Sequence, residues 1–85
     1  MTFEEAIAAA KAGKSVARDH WCDVFLRKAR TNEPVTATSD LVLDHGFTLG
    51  GEPWVEAWTG PDDSEDIKDS TATDWHEVDD DGDRL

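Results

Sequence analysis

Gly13-Lys14-Ser15 repeats the end of a phosphate-binding P-loop, where backbone N–H groups and a lysine cradle phosphates. The full pattern needs a second glycine at position 8, which is Ala8, and a preceding strand where the apolar spacing reads as helix. Gly13 is therefore a helix stop. Glu77-Val78-Asp79-Asp80-Asp81-Gly82 sets carboxylates at the first, third and fifth positions of a calcium loop, with glycine at the sixth. The bidentate glutamate required at the twelfth position would fall after Leu85, so an acidic tail over about 79–85 is expected instead. His20 and Cys22 are close in sequence while His45 and His76 are scattered, which is not the paired spacing of a zinc site. Cys22 reads as part of a strand and is expected to be a small buried hydrophobe, not a nucleophile. With 20 acidic side chains, carboxylate pairs arise by chance and carry no acid–base signal. No catalytic residue, no metal and no cofactor is expected. Trp21, Trp54, Trp58 and Trp75 are the remaining candidates, as core or as a stacking platform for a base.

The elements that would position these residues are legible. Thr2-Phe3-Glu4-Glu5 fits a capping box. Phe3, Ala6, Ile7 and Ala10 then recur at helical spacing, predicting an amphipathic helix over 3–12 that ends at Gly13. Ser15 to Arg18 and Cys22 to Arg27 read as strands. Leu41-Val42-Leu43 and Phe47-Thr48-Leu49 flank Asp44-His45-Gly46, a pattern that predicts a short hairpin turn there. Gly50-Gly51 is a second turn. Trp54 to Trp58 alternates, placing both tryptophans on one face. Residues 29–40, with Asn32-Glu33-Pro34, read as a loop. Asp62 to Ser70 is expected to form one or two helical turns, and Asp74 to Val78 a last strand. The expected fold is α+β, with one N-terminal amphipathic helix packed on a small, mostly antiparallel sheet of about four to five strands, in a single domain over 1–85.

Composition narrows the function. Leu, Ile, Val and Phe number 16 of 85 residues, at the edge of the disordered class, and the four tryptophans argue for a small folded core. No stretch approaches the roughly 18 apolar residues of a membrane helix, and the opening Met1-Thr2-Phe3-Glu4-Glu5 is acidic where a signal peptide is basic. One cysteine makes no internal disulfide, and the cytoplasm of the host cell is the expected compartment. The net charge is −12 and unevenly spread. Residues 1–39 hold six basic and five acidic side chains; residues 40–85 hold two basic and 15 acidic ones, a net of −13. Such a chain repels the phosphates of nucleic acid and attracts surfaces that bind them. Neither direct nucleic-acid binding nor a membrane is expected.

The opening Met1 to Trp21, with Gly13, Lys14, Arg18 and Trp21 after an amphipathic helix, resembles a small phage family. A second mark is Trp58, Ser64 and Asp66 followed by the closing Asp74-Trp75. The family includes the Thoeris anti-defence sponge, which sequesters cyclic nucleotide immune signals, and relatives with the same opening occur among anti-CRISPR proteins, a type I-C-like one being expected. The match covers about the first 21 and last 25 residues. The chain lacks the amide-bearing Ser-Gln step before the last segment, and its stretch between Trp58 and Asp74 is longer. As the resemblance implies, Arg18, Trp21, Asp74 and Trp75 would be the ligand-binding positions of a sponge, with oligomeric assembly.

The charge selects the other relative as the leading expectation: a non-enzymatic, anti-CRISPR-like counter-defence inhibitor, monomeric, acting as an acidic mimic of nucleic acid. Consecutive acids on an extended chain approach the linear charge density of one phosphate backbone. Its partner would be the basic DNA-binding surface of a CRISPR effector complex. The contacts would be Asp62, Asp63, Glu65, Asp66, Asp69, Asp74, Glu77, Asp79, Asp80 and Asp81, within a segment, 61–83, of net charge −10. The alternative is the sponge. Crowded carboxylates are also expected to have raised pKa values, so that both mild acid and salt stabilise the fold.

Overall fold

The computed structural model describes all 85 residues. Helix α1 (Phe3–Lys11) is closed at its start by the expected capping box: the Thr2 side chain accepts the Glu5 N–H at 3.2 Å and Glu5 Oε1 accepts the Thr2 N–H at 2.9 Å. The two bonds satisfy amides that have no intrahelical partner, and the Thr2 N–H donated to the Glu5 carboxylate is the main cause holding that carboxyl below its usual range. Five strands follow, β1 (Ser15–Ala17), β2 (Phe25–Lys28), β3 (Leu41–Leu49), β4 (Glu52–Ala57) and β5 (His76–Val78). They form one antiparallel sheet in the order β4-β3-β2-β1-β5. The α+β architecture is the one the periodicities predict.

Ala6 and Ala10 are fully buried against Val16, Leu26, Leu41 and Trp75. Because the core-facing residues of α1 are alanines, the bulk that fills the space between helix and sheet comes from elsewhere. Trp75 supplies most of it, 1% exposed, with Phe3 tilted and Trp21 T-shaped against it at centroid separations of 5.8 and 5.2 Å. Ala17, Phe25 and Val78 make a second small cluster, and Trp21 touches both.

Three local expectations are corrected. Asp44-His45-Gly46 is not a turn: β3 runs on to Leu49, and the chain reverses at Gly50-Gly51, both with positive φ (63° and 86°), between the paired Leu49 and Glu52. His45, Gly46 and Phe47 instead form a bulge, three residues facing Trp54 alone between the pairs Asp44–Val55 and Thr48–Pro53. Asp44 Oδ1 accepts the Gly46 N–H at 2.8 Å and holds that kink. Gly46 has φ +74° and lies where a Cβ would strike the Asp23 carbonyl, so only glycine fits. Cys22 is neither buried nor in a strand: the chain turns at Asp23 (φ 61°) and β2 starts at Phe25. Asp62 to Ser70 is a chain of turns, not helix. Trp54 and Trp58 have different surroundings. Trp58 lies just past β4 and packs on Phe3 at 6.2 Å, while Trp54 stays 37% exposed on the outer arm, stacked on His45 at 4.1 Å.

Candidate functional site

Two loops meet at one end of the sheet. The β1–β2 loop brings His20, Trp21, Cys22 and Val24, β3 contributes Leu43, and the segment after β4 brings Trp58, Thr59, Gly60, Asp62, Ile67 and Asp69. Between them is an open cleft of about 450 Å³, walled largely by apolar side chains, with no Lys or Arg in its lining. Such a cleft, apolar with a few polar groups, is the ordinary form of a small-molecule site.

Arg18 sets the position of one wall. Its Nη1 donates to Asp69 Oδ1 at 2.9 Å and to the Ile67 carbonyl, and its Nε donates to Asp74 Oδ1 at 2.9 Å. The guanidinium thus ties the end of β1 to the long segment 61–75 from three directions. The side chains of Arg18 and Asp69 are 11% and 6% exposed, which makes this a sheltered pair and not a surface one. Asp69 has no spare oxygen: Oδ2 accepts the Asp62 N–H at 2.8 Å, and its backbone carbonyl accepts the Trp75 indole N–H at 3.1 Å. Burial opposes ionisation of Asp74, but the Arg18 bond and the Asp19 N–H outweigh it and hold this carboxyl below its usual range. Burial likewise opposes the Arg18 charge, and its two carboxylate partners overcome the penalty. The loop is braced a second time where Asp63 accepts both the N–H and the hydroxyl of Ser70, each at 2.8 Å.

These bonds redistribute the residues picked out in the sequence. Of Arg18, Trp21, Asp74 and Trp75, Trp21 lines the cleft, and the other three form the frame behind it. Among the ten acids expected to face a partner, Asp69 is buried and Asp74 is spent on Arg18. Glu77 meets Lys14 at 3.1 Å, Asp79 Oδ1 accepts the Asp81 and Asp83 N–H groups, and Asp62 caps the Ser64 N–H at 3.0 Å. Glu65, Asp66, Asp80 and Asp81 are exposed. Carboxylate crowding does not raise the resolved pKa values. Those of Glu5, Glu33, Asp62 and Asp74 all move down, because each accepts hydrogen bonds from amides, hydroxyls or guanidinium groups.

The sequence had no local mark for Trp58, Leu43 and Ile67 as partners of Trp21, since their meeting depends on the sheet order and on the Arg18 clamp.

The fold and the cleft are those of a small α+β domain with a partly apolar cleft, lined by two tryptophans, at one end of its sheet. The family model of the Thoeris anti-defense 2-like (Tad2-like) domain matches residues 1–78, nearly the whole chain, and the protein belongs to that family. Comparison with curated proteins and with solved structures gives no match. The family is a phage anti-defence family of the Thoeris type, and the match does not extend to anti-CRISPR proteins. The leading expectation of a DNA mimic is thereby displaced by its alternative.

Proposed function

We propose that this protein is a counter-defence sponge that binds a cyclic nucleotide immune signal in the cleft between Trp21 and Trp58 and holds it without chemical change. The observation that carries the reading is the cleft itself, since every residue lining it lies inside the region matched to the anti-defence family. Two indoles offer stacking surfaces for a base, worth about 1–3 kcal/mol per base. The Arg18 clamp fixes the wall before the ligand arrives, which lowers the ordering cost of binding. The electrostatics oppose a polyanion, as a chain of net charge −12 repels phosphates at long range. Binding in this reading is driven by stacking and apolar contact, with the phosphates directed to solvent or to a neighbouring copy in an oligomer.

Calorimetry with cyclic ADP-ribose isomers and cyclic dinucleotides tests it. One of them should bind stoichiometrically and be recovered intact after heat denaturation. Cys22, exposed and lining the cleft, should then alkylate more slowly in the presence of that ligand. No binding by any of these compounds, with a monomer by light scattering, ends the sponge reading.

A further inference from the structure

We infer that the open edge of the sheet docks an extended segment of a partner protein, one that carries Lys or Arg two residues to either side of an apolar residue. β4 ends the sheet, with β3 on its inner side and no strand beyond it. The Trp58 N–H donates to the Leu41 carbonyl at 3.0 Å. The alternation of an antiparallel ladder then turns the N–H and C=O of Val55 and Ala57 outward, away from β3. Outward groups of this kind are the template on which a further strand adds. Pro53 falls at the next outward position and offers no N–H, so the added strand is held at Val55 and Ala57. Glu52, Trp54, Val55 and Glu56 do not line the cleft, and the inference is independent of what the cleft binds.

The side chains of the same edge set what that strand must carry. Leu26 and its partner Leu43 lie on the face that bears α1, and the helix lies over β1 and β2. Past the helix this face continues onto the outer arm. There Phe47 is 50% and Leu49 64% exposed, and Trp54 meets Phe47 at 5.1 Å. Alternation along β4 puts Glu52 and Glu56 on the face of Trp54, one to either side of it. Residues 31–67 contain no Lys or Arg. Glu52 has no ionic partner, and Glu56 meets His45 at 3.1 Å. A strand laid along β4 brings opposite residues to about 4.5–5.5 Å between Cβ atoms. With an apolar residue against Trp54, the positions two residues away fall opposite the glutamates, where Lys or Arg completes an ion pair. A second copy of this chain fails that requirement. Antiparallel pairing of two β4 strands about Trp54 sets Glu52 against Glu56 twice, and like charges directly opposite are destabilising. The same glutamates repel the phosphates of nucleic acid and of an anionic lipid surface.

The test is fluorescence anisotropy with a labelled short peptide, Thr-Lys-Thr-Phe-Thr-Lys-Thr. Two controls have the same charge: one sets the lysines side by side, and one is N-methylated along its backbone so that it cannot pair with a strand. The wild type should bind the test peptide roughly tenfold more tightly than either control, and the preference should shrink as salt rises. The double variant Glu52→Lys, Glu56→Lys, with an unchanged melting temperature, should lose that preference. Equal binding of the three peptides by the wild type overturns the inference, because net charge alone then accounts for the attraction. Absence of binding overturns it as well, as does a preference that survives in the folded double variant. Should the double variant fail to fold, the ranking of the three peptides on the wild type decides. An oligomer that Trp54→Ala dissociates also overturns the inference, since a second copy then occupies the edge.

Discussion

The molecule contains two arginine clamps of the same chemistry in different service. Arg27, 6% exposed, donates from Nη1 and Nη2 to both oxygens of Glu33 at 2.7 Å and from Nε to Asp44 at 3.2 Å. It pins the 29–40 loop against β2 and β3 and leaves Glu33 with a pKa of about 2. Arg18 pins the 61–75 segment in the same manner, but that segment is a wall of the cleft. A buried guanidinium with two carboxylates is a way of fastening a polar loop where apolar side chains are too few. Which clamp bears on function depends on what its loop encloses.

The largest effects should come from breaking each clamp. Removing one member of a sheltered ion pair leaves uncompensated charge and costs about 3–5 kcal/mol. Arg27→Met and Arg18→Met should therefore both lower the melting temperature substantially. Binding should separate them: at a temperature where both are folded, Arg27→Met keeps ligand affinity and Arg18→Met loses at least about tenfold. Equal affinities would dissolve the distinction.

Acid sharpens the same contrast with a smaller effect. The folded pKa of Glu33 is about 2 against an ordinary 4.5, so its stabilisation is complete above about pH 4.5 and is lost as pH falls toward 2. Asp74 contributes in the same direction from its own lowered value. Thermal melts should show stability declining through that window, and Glu33→Gln should flatten the decline. A melting temperature that rises on acidification from pH 5 to 3 would contradict the assignment.

Salt should act oppositely and more weakly. Buried pairs are screened little, while the unpaired surface acids, such as Glu65, Asp66, Asp80 and Asp81, repel one another within a Debye length of about 10 Å at 0.1 M. Raising salt to about 0.5 M should increase the melting temperature by a few degrees and tighten binding of an anionic ligand. The smallest effect is expected on the outer arm, which takes no part in the cleft. Trp54→Ala removes an exposed stack on His45 and an edge contact with Phe47 and should cost about 1 kcal/mol with ligand affinity unchanged. A loss of affinity there would move the site.

Much of this architecture is written locally. The capping box, the Ala6–Ala10 stripe and Gly13 specify α1 because each acts within four residues, and the Gly50-Gly51 turn follows from two positive φ angles that only glycine accepts cheaply. The apolar runs around Leu26 and Leu41 and the alternating run around Val55 specify strands for the same reason. Asp44-His45-Gly46 misled because turn and bulge both call for Asx bonding and a glycine of positive φ; only the continuing β3–β4 pairing decides between them. The charge count was correct but silent on pairing. Net charge is additive along the chain, whereas a carboxylate's availability depends on whether a guanidinium 51 or 56 residues away reaches it, as Arg18 reaches Asp69 and Asp74. The four tryptophans were visible as candidates, and their division was not: sheet order buried Trp75, placed Trp21 and Trp58 around the cleft, and left Trp54 on the arm. The sequence by itself determined the elements, through interactions a few residues long. Tertiary structure alone decided which acids are free and which indoles line the cleft, because both depend on contacts between segments that the chain brings together only when the sheet closes over its helix.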